Sequence, residues 1–132
     1  MSVQVLICDD QAAFRLAARE VVNATQGFEV VGEAETGEDS VEAADRLHPD
    51  LVLMDVHLPG IDGLEASRLI KAAHPNVAVL LLSTYDPEAF VERLSGSGAI
   101  AFIPKAAFGS DRLTEVWARA ASGGQGADAG RG

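Results

Sequence analysis

LVLMDVHLPGIDGLEA, residues 51–66, decides the fold. Leu51 to Met54 form an apolar run without alternation, as in a strand covered on both faces. Asp55 follows at its tip. Pro59-Gly60 marks a loop, and Asp62-Gly63 opens a helix that the pattern carries to about Ala73. Buried strand, acidic tip, loop and returning helix make one unit of an open α/β sheet, whose sites lie beyond the carboxyl ends of the strands. Upstream, Val3 to Cys8 is a second such run, and it ends on Asp9-Asp10. Three carboxylates at matching strand ends repel one another unless a cation joins them. Mg2+ suits such a cluster, because it takes few protein ligands, keeps several waters and leaves positions for a phosphoryl group.

The same alternation continues through the chain. Gln11 to about Thr25 reads as a helix with Phe14, Ala17, Ala18, Val21 and Val22 as its apolar stripe. Phe28 to Ala34 is the second strand, and Glu38 to Leu47 a short helix stopped at His48-Pro49. After His74-Pro75, Val77 to Leu82 is the fourth strand. Pro87 to about Ser97 is the weakest helix, with Gly96 in its last turn and Gly98 as a left-handed cap. Ala99 to Ile103 is the fifth strand, and Ser110 or Asp111 caps a last helix to about Ala121. Residues 122–132, SGGQGADAGRG, read as a flexible Gly-rich tail or linker stub. The domain is thus expected over 1–121. Five strand–helix units with short connections imply a parallel sheet with helices on both faces. At the ends of strands one, three, four and five stand Asp9, Asp10, Asp55, Ser83 and Lys105.

Composition excludes several classes. The chain has 132 residues, 48% of them hydrophobic, enough for one domain with a real core. Its net charge is −10, which argues against nucleic-acid contact, since phosphate binding needs clustered Lys and Arg. The lone cysteine, Cys8, forms no internal disulfide and sits in a strand as a buried thiol. No signal peptide and no membrane-spanning run are visible, so a cytoplasmic location is expected.

The stretch 51–66, with Asp9-Asp10 before it and Ser83 and Lys105 after it, resembles the receiver domain of two-component response regulators over residues 3 to about 121. Receivers that precede helix-turn-helix output domains are the most similar. The resemblance implies a flavodoxin-like (βα)5 doubly wound five-stranded parallel sheet of order 2-1-3-4-5. It implies Asp55 as phosphoacceptor, Asp9 and Asp10 as Mg2+ positions, and His57 as a metal ligand through its backbone carbonyl. Lys105 would pair with a phosphoryl oxygen. Ser83 would donate its hydroxyl to the phosphoryl group, with Thr84 next door as the alternative, and Phe102 would change rotamer with it. Implied partners are a sensor histidine kinase and a second copy, through the helix 4/strand 5/helix 5 face or the helix 1/helix 5 face. No membrane contact is implied. Many receivers carry proline after the lysine in a cis bond; here Ala106 follows Lys105, and a non-proline cis bond costs about 3 kcal/mol.

Other classes fit worse. Phosphatases of the haloacid-dehalogenase type need a second aspartate two residues after the nucleophile, where this chain has His57. A dinucleotide fold needs a glycine-rich turn after strand one, and none is there. A histidine–carboxylate zinc site fits poorly, because His48 and His74 flank helix-ending prolines away from the strand tips. The remaining alternative is a receiver-like interaction module that works without phosphorylation. The output domain, kinase and target are not written in this stretch.

Overall fold

The computed structural model describes residues 2–84 and 91–131, with side chains described for 2–84 and 92–121. Strands β1 (Val3–Cys8), β2 (Phe28–Ala34), β3 (Leu51–Asp55), β4 (Ala78–Ser83) and β5 (Ala101–Pro104) alternate with helices α1 (Ala12–Ala24), α2 (Gly37–Leu47), α3 (Gly63–Ala73), α4 (Val91–Ser97) and α5 (Ser110–Arg131). The strands form one sheet of order β2-β1-β3-β4-β5, and all pairs are parallel. This is the expected flavodoxin-like arrangement.

Side-chain alternation builds two apolar layers. Leu6, Cys8, Val52, Met54, Val79 and Leu81 face α2 and α3, with Leu94 of α4 and Phe102 packed at the margin. Val5, Ile7, Leu51, Leu53, Leu80, Leu82 and Ile103 face α1 and α5. β3 is buried along its whole length, which explains its unbroken apolar run. The tips of β1, β3 and β4 are therefore anchored from both sides.

Helix starts follow local chemistry. Thr36 accepts the backbone N–H of Asp39 at 3.0 Å at the start of α2. Asp62 accepts that of Glu65 at 2.9 Å at the start of α3. Such caps satisfy donors that the first helical turn leaves unpaired. His48 closes α2 with φ of 50°. Gly98 follows α4 with φ of 78°, the left-handed cap expected of it.

Three boundaries differ from expectation. β4 runs one residue later, from Ala78 through Ser83. β5 runs 101–104 rather than 99–103 and includes Pro104. It lies at the sheet edge, where a missing N–H is tolerated. α5 is assigned to Arg131, past the predicted helix end at Ala121. Extending an existing helix adds one hydrogen bond per residue fixed. Glycine lowers that gain by about 1 kcal/mol but stops a helix only where the backbone turns left-handed. Of the predicted fourth helix, residues 87–90 lie outside the described residues. Among the described residues no peptide bond is cis, and no helix is long and apolar enough to cross a membrane.

Candidate functional site: an acidic pocket at the strand tips

β1 and β3 pair directly, with Cys8 opposite Met54. Their next residues therefore emerge side by side. Asp9, Asp10 and Asp55 each place a carboxylate oxygen within 4.8 Å of the others. Asp9 and Asp55 are buried, at 1% and 5% exposure, while Asp10 is exposed. Burial is what makes the cluster costly, because a low-dielectric surround magnifies like-charge repulsion.

Local backbone contacts hold these groups. Asp9 Oδ1 accepts the N–H of Gln11 at 2.8 Å, so one carboxylate oxygen is used at the start of α1. Arg15 donates to the Asp9 carbonyl at 2.8 Å. Val56 N–H donates to Leu82 O at 3.0 Å, and Gly63 N–H returns to Val56 O at 2.8 Å. A Cβ at Gly63 would collide with the carbonyl oxygen of Asp55; only glycine lets α3 start this close to the strand tip. The N-terminus of α2 clamps the same loop, with Gly37 N–H on Pro59 O at 3.1 Å and Ile61 N–H on Glu38 Oε2 at 3.2 Å. His57 N–H donates to Asp55 Oδ1 at 3.3 Å, and its side chain is exposed.

Lys105 begins a 3-10 turn (Lys105–Ala107) directly after β5. Its Nζ lies 2.6 Å from Asp9 Oδ2 and 3.6 Å from Asp55 Oδ2. Asp9 Oδ2 is buried and has no aligned hydrogen-bond donor; the 2.6 Å contact is a close ion pair of poor hydrogen-bond geometry. One ammonium against three carboxylates leaves the pocket negative. Burial pushes the Asp55 carboxyl above the usual carboxylate range, and the charge of Asp9 adds to this. Lys105 and the His57 N–H pull it back only in part. An under-satisfied buried oxygen in a negative, oxygen-only cluster fits a hard divalent cation such as Mg2+.

Ser83, the last residue of β4, is fully buried, and Thr84 beyond it is exposed. Phe102 is partly buried in the layer shared with α3 and α4. The fold thus brings together Asp9, Asp10, Asp55 and Lys105 and sets Ser83 on the neighbouring strand end. Cys8, beside the pocket, is inert: burial first, and the Asp9 charge, push its thiol up to about 12 against a lowering hydrogen bond to Ser40. Two residues at the site were read from sequence only as a helix start and an apolar stripe. Gln11 Oε1 lies 3.4 Å from Lys105 Nζ, and the Phe14 ring centroid lies 4.6 Å from it.

The model of the response regulator receiver domain matches residues 5–117. The chain belongs to this family. It is 35% identical over 122 residues to the transcriptional regulatory protein DegU of Brevibacillus brevis, covering 92% of this chain and 51% of that protein. It is 38% identical over 105 residues to the response regulator GacA of Pseudomonas viridiflava, covering 80% of this chain and 49% of that protein. The chain spans about half the length of these relatives. The solved signal receiver domain of the putative response regulator NarL from Mycobacterium tuberculosis superposes with a TM-score of 0.82 at 28% identity, covering 92% of this chain and 98% of that one. Phosphorylation is the family's role.

Proposed function

We propose that this receiver domain accepts a phosphoryl group on Asp55 from the phosphohistidine of a sensor histidine kinase, in a Mg2+-dependent reaction. The observation that carries this reading is the Lys105 ammonium lying between Asp9 and Asp55. In the step, an Asp55 carboxylate oxygen attacks phosphorus. A P–O bond forms, the P–N bond breaks, and the electron pair stays on the imidazole nitrogen. The product is an acyl phosphate. Transfer of this kind needs alignment and charge stabilisation more than covalent assistance.

Lys105 is assigned to pair with a phosphoryl oxygen, a charge-assisted contact. Asp9, Asp10, Asp55 and the His57 backbone carbonyl are the residues that would hold Mg2+. When bound, the ion supplies positive charge that favours ionised Asp55 and offsets the incoming phosphoryl charge. Ser83 then donates its hydroxyl to the phosphoryl group, and Phe102 repacks with it. A switch from mostly off to mostly on needs roughly 5 kcal/mol of differential interaction. The position of Ser83 at the adjoining strand end supports this assignment. The chain acts on its own aspartate, in phosphorylation and dephosphorylation, and not on a metabolite.

The receiver unit is taken as residues 1–121, a boundary supported by the packing of Val116 and Trp117 of α5 in the core. A kinase fed by ATP places the reaction in the cytoplasm. A second copy would dock through α4, β5 and α5 or through α1 and α5; the 51% exposure of Leu16 on α1 supports α1 as a contact face. A net charge of −10 supports leaving nucleic-acid contact to another domain, as in a transcription regulator with a separate output unit.

The test is incubation with acetyl phosphate and Mg2+, read by intact mass. Wild type should gain one phosphoryl group, and Asp55→Asn or chelation should abolish it. No adduct on wild type, with a cognate kinase as well, would leave a receiver that works by binding alone.

A further inference from the structure

Four side chains among the described residues meet the ammonium of Lys105 in the pocket. Two are the carboxylates of Asp9 and Asp55, at 2.6 and 3.6 Å. The others are uncharged: Gln11 Oε1 at 3.4 Å and the ring of Phe14, with its centroid at 4.6 Å. Both carboxylates are assigned to the cation in the reading above, on which this inference rests. A dication on those oxygens competes with the ammonium for them and also repels it. Lys105 must then stay near Asp55 without its main counter-charge. An aromatic face attracts a cation through its quadrupole. Unlike a carboxylate, it cannot be captured by a hard metal.

Phe14 is placed for this task. It stands in the first turn of α1, partly buried, and its ring is braced by Phe108 at 6.3 Å with a 51° tilt. Phe108 itself follows the 3-10 turn that begins at Lys105, so the ring contact and the lysine belong to one short segment. Lys105 keeps only 9% side-chain exposure, which leaves its ammonium little water to turn to. An aliphatic residue at position 14 would keep the apolar stripe of α1 but would offer no π face.

We propose that Phe14 is a positioning residue for Lys105: its ring face keeps the ammonium within reach of Asp55 when the metal occupies the acidic cluster. Phe14 touches neither the phosphoryl donor nor the reacting carboxylate, and it acts through the lysine alone.

The sequence makes a direct test practical, because its lysines are only Lys71 and Lys105. Lysine labelled with 13C gives two sets of side-chain signals. Lys71 serves as internal control, since its Nζ donates to Pro75 O at 2.7 Å and Val77 O at 2.6 Å. With Mg2+ present, the Lys105 Hε protons should show an upfield ring-current shift. The shift should vanish in Phe14→Leu and persist in Phe14→Tyr, with Lys71 unmoved. Phosphorylation by acetyl phosphate should slow about threefold to tenfold in Phe14→Leu and recover in Phe14→Tyr. Should Phe14→Leu fail to fold, Phe14→Met provides the same aromatic-to-flexible comparison.

Unchanged Lys105 shifts and an unchanged rate in the aliphatic variant would overturn the proposal. So would equal slowing in Phe14→Leu and Phe14→Tyr. A Lys105→Ala variant separates the two layers of argument. If wild type is phosphorylated no faster than Lys105→Ala, the role of the lysine fails. If Lys105→Ala is slow while Phe14→Leu matches wild type, only the role of the ring fails.

Discussion

The two sides of the sheet are built differently. Around β1 and β3, α2 and α3 start on the side-chain acceptors Thr36 and Asp62, and Asp9 accepts the N–H of Gln11 just ahead of α1. β3 is buried throughout. Around β4 and β5, the described part of α4 is Val91–Ser97. Within it, Ser95 and Ser97 spend their hydroxyls on the carbonyls of Glu92 and Leu94, local bonds that compete with regular helix geometry. β5 has four residues, of which only Ile103 is buried. Arg93 ties α4 to the start of α3, its guanidinium meeting Asp62 at 2.8 and 2.9 Å. The three carboxylates stand on the firm side, and Lys105 reaches them from the end of β5. The residues assigned to respond, Ser83 and Phe102, stand at the border of the loose side or within it.

Core truncation should separate the sides most strongly. Leu53→Ala empties a fully buried site and should cost about 2–5 kcal/mol. Leu94→Ala, at a partly buried site on α4, should cost about 1 kcal/mol. Equal costs in urea unfolding would remove the contrast.

Asp55→Asn tests the repulsion stored on the firm side. Burial, then Asp9, raise the Asp55 carboxyl, so the folded state disfavours its ionised form. That penalty is fully present above the folded pKa and is relieved as pH falls toward the unfolded value of about 4. Without metal at pH 7, Asp55→Asn should therefore raise Tm, by roughly 3–5 °C for about 1 kcal/mol. The gain should shrink as pH falls and disappear for wild type saturated with Mg2+.

The smallest effect belongs to Arg93→Ala. Burial raises the Asp62 carboxyl. The hydrogen bond from Arg93, the backbone N–H groups of Glu65 and Leu64 and the Arg93 charge outweigh it and hold the group below its ordinary range. Stability from a depressed carboxyl is present above about pH 4 and is lost as pH falls through the folded value. Both side chains are partly exposed, so removing Arg93 should cost roughly 0.5 kcal/mol at pH 7, fading in acid. Amide exchange should quicken in α4 and stay unchanged in β1 and β3. Quickening in β1 would show that the two sides are not separable.

The firm side was the legible one. Unbroken apolar runs ending in aspartate specify buried parallel strands; the strand order that makes β1 and β3 neighbours, and so joins Asp9, Asp10 and Asp55, came with the family resemblance. Lys105 followed in the same way. Boundaries on the loose side slipped, because an edge strand tolerates Pro104 and a glycine-rich stretch can prolong a helix. The Phe14–Lys105 and Asp62–Arg93 contacts were hidden for another reason. Helical periodicity tells which face of α1 is apolar, not which lysine crosses above its first turn. Likewise His48 and His74, which sequence only marks as helix ends, meet edge to face with centroids 5.6 Å apart, because α2 and α3 end side by side.

The central claim is that side chains from two neighbouring strand ends, those of β1 and β3, make a single divalent-cation site. Mn2+ added at substoichiometric levels to 15N-labelled protein tests it directly. Paramagnetic broadening should centre on the amides of residues 9, 10, 55 and 57, reach Lys105, and be abolished by excess Mg2+. Broadening centred instead on the acidic hollow of about 310 Å3 lined by Glu33, Glu35, Asp39 and Glu42, with the strand tips untouched, would contradict it.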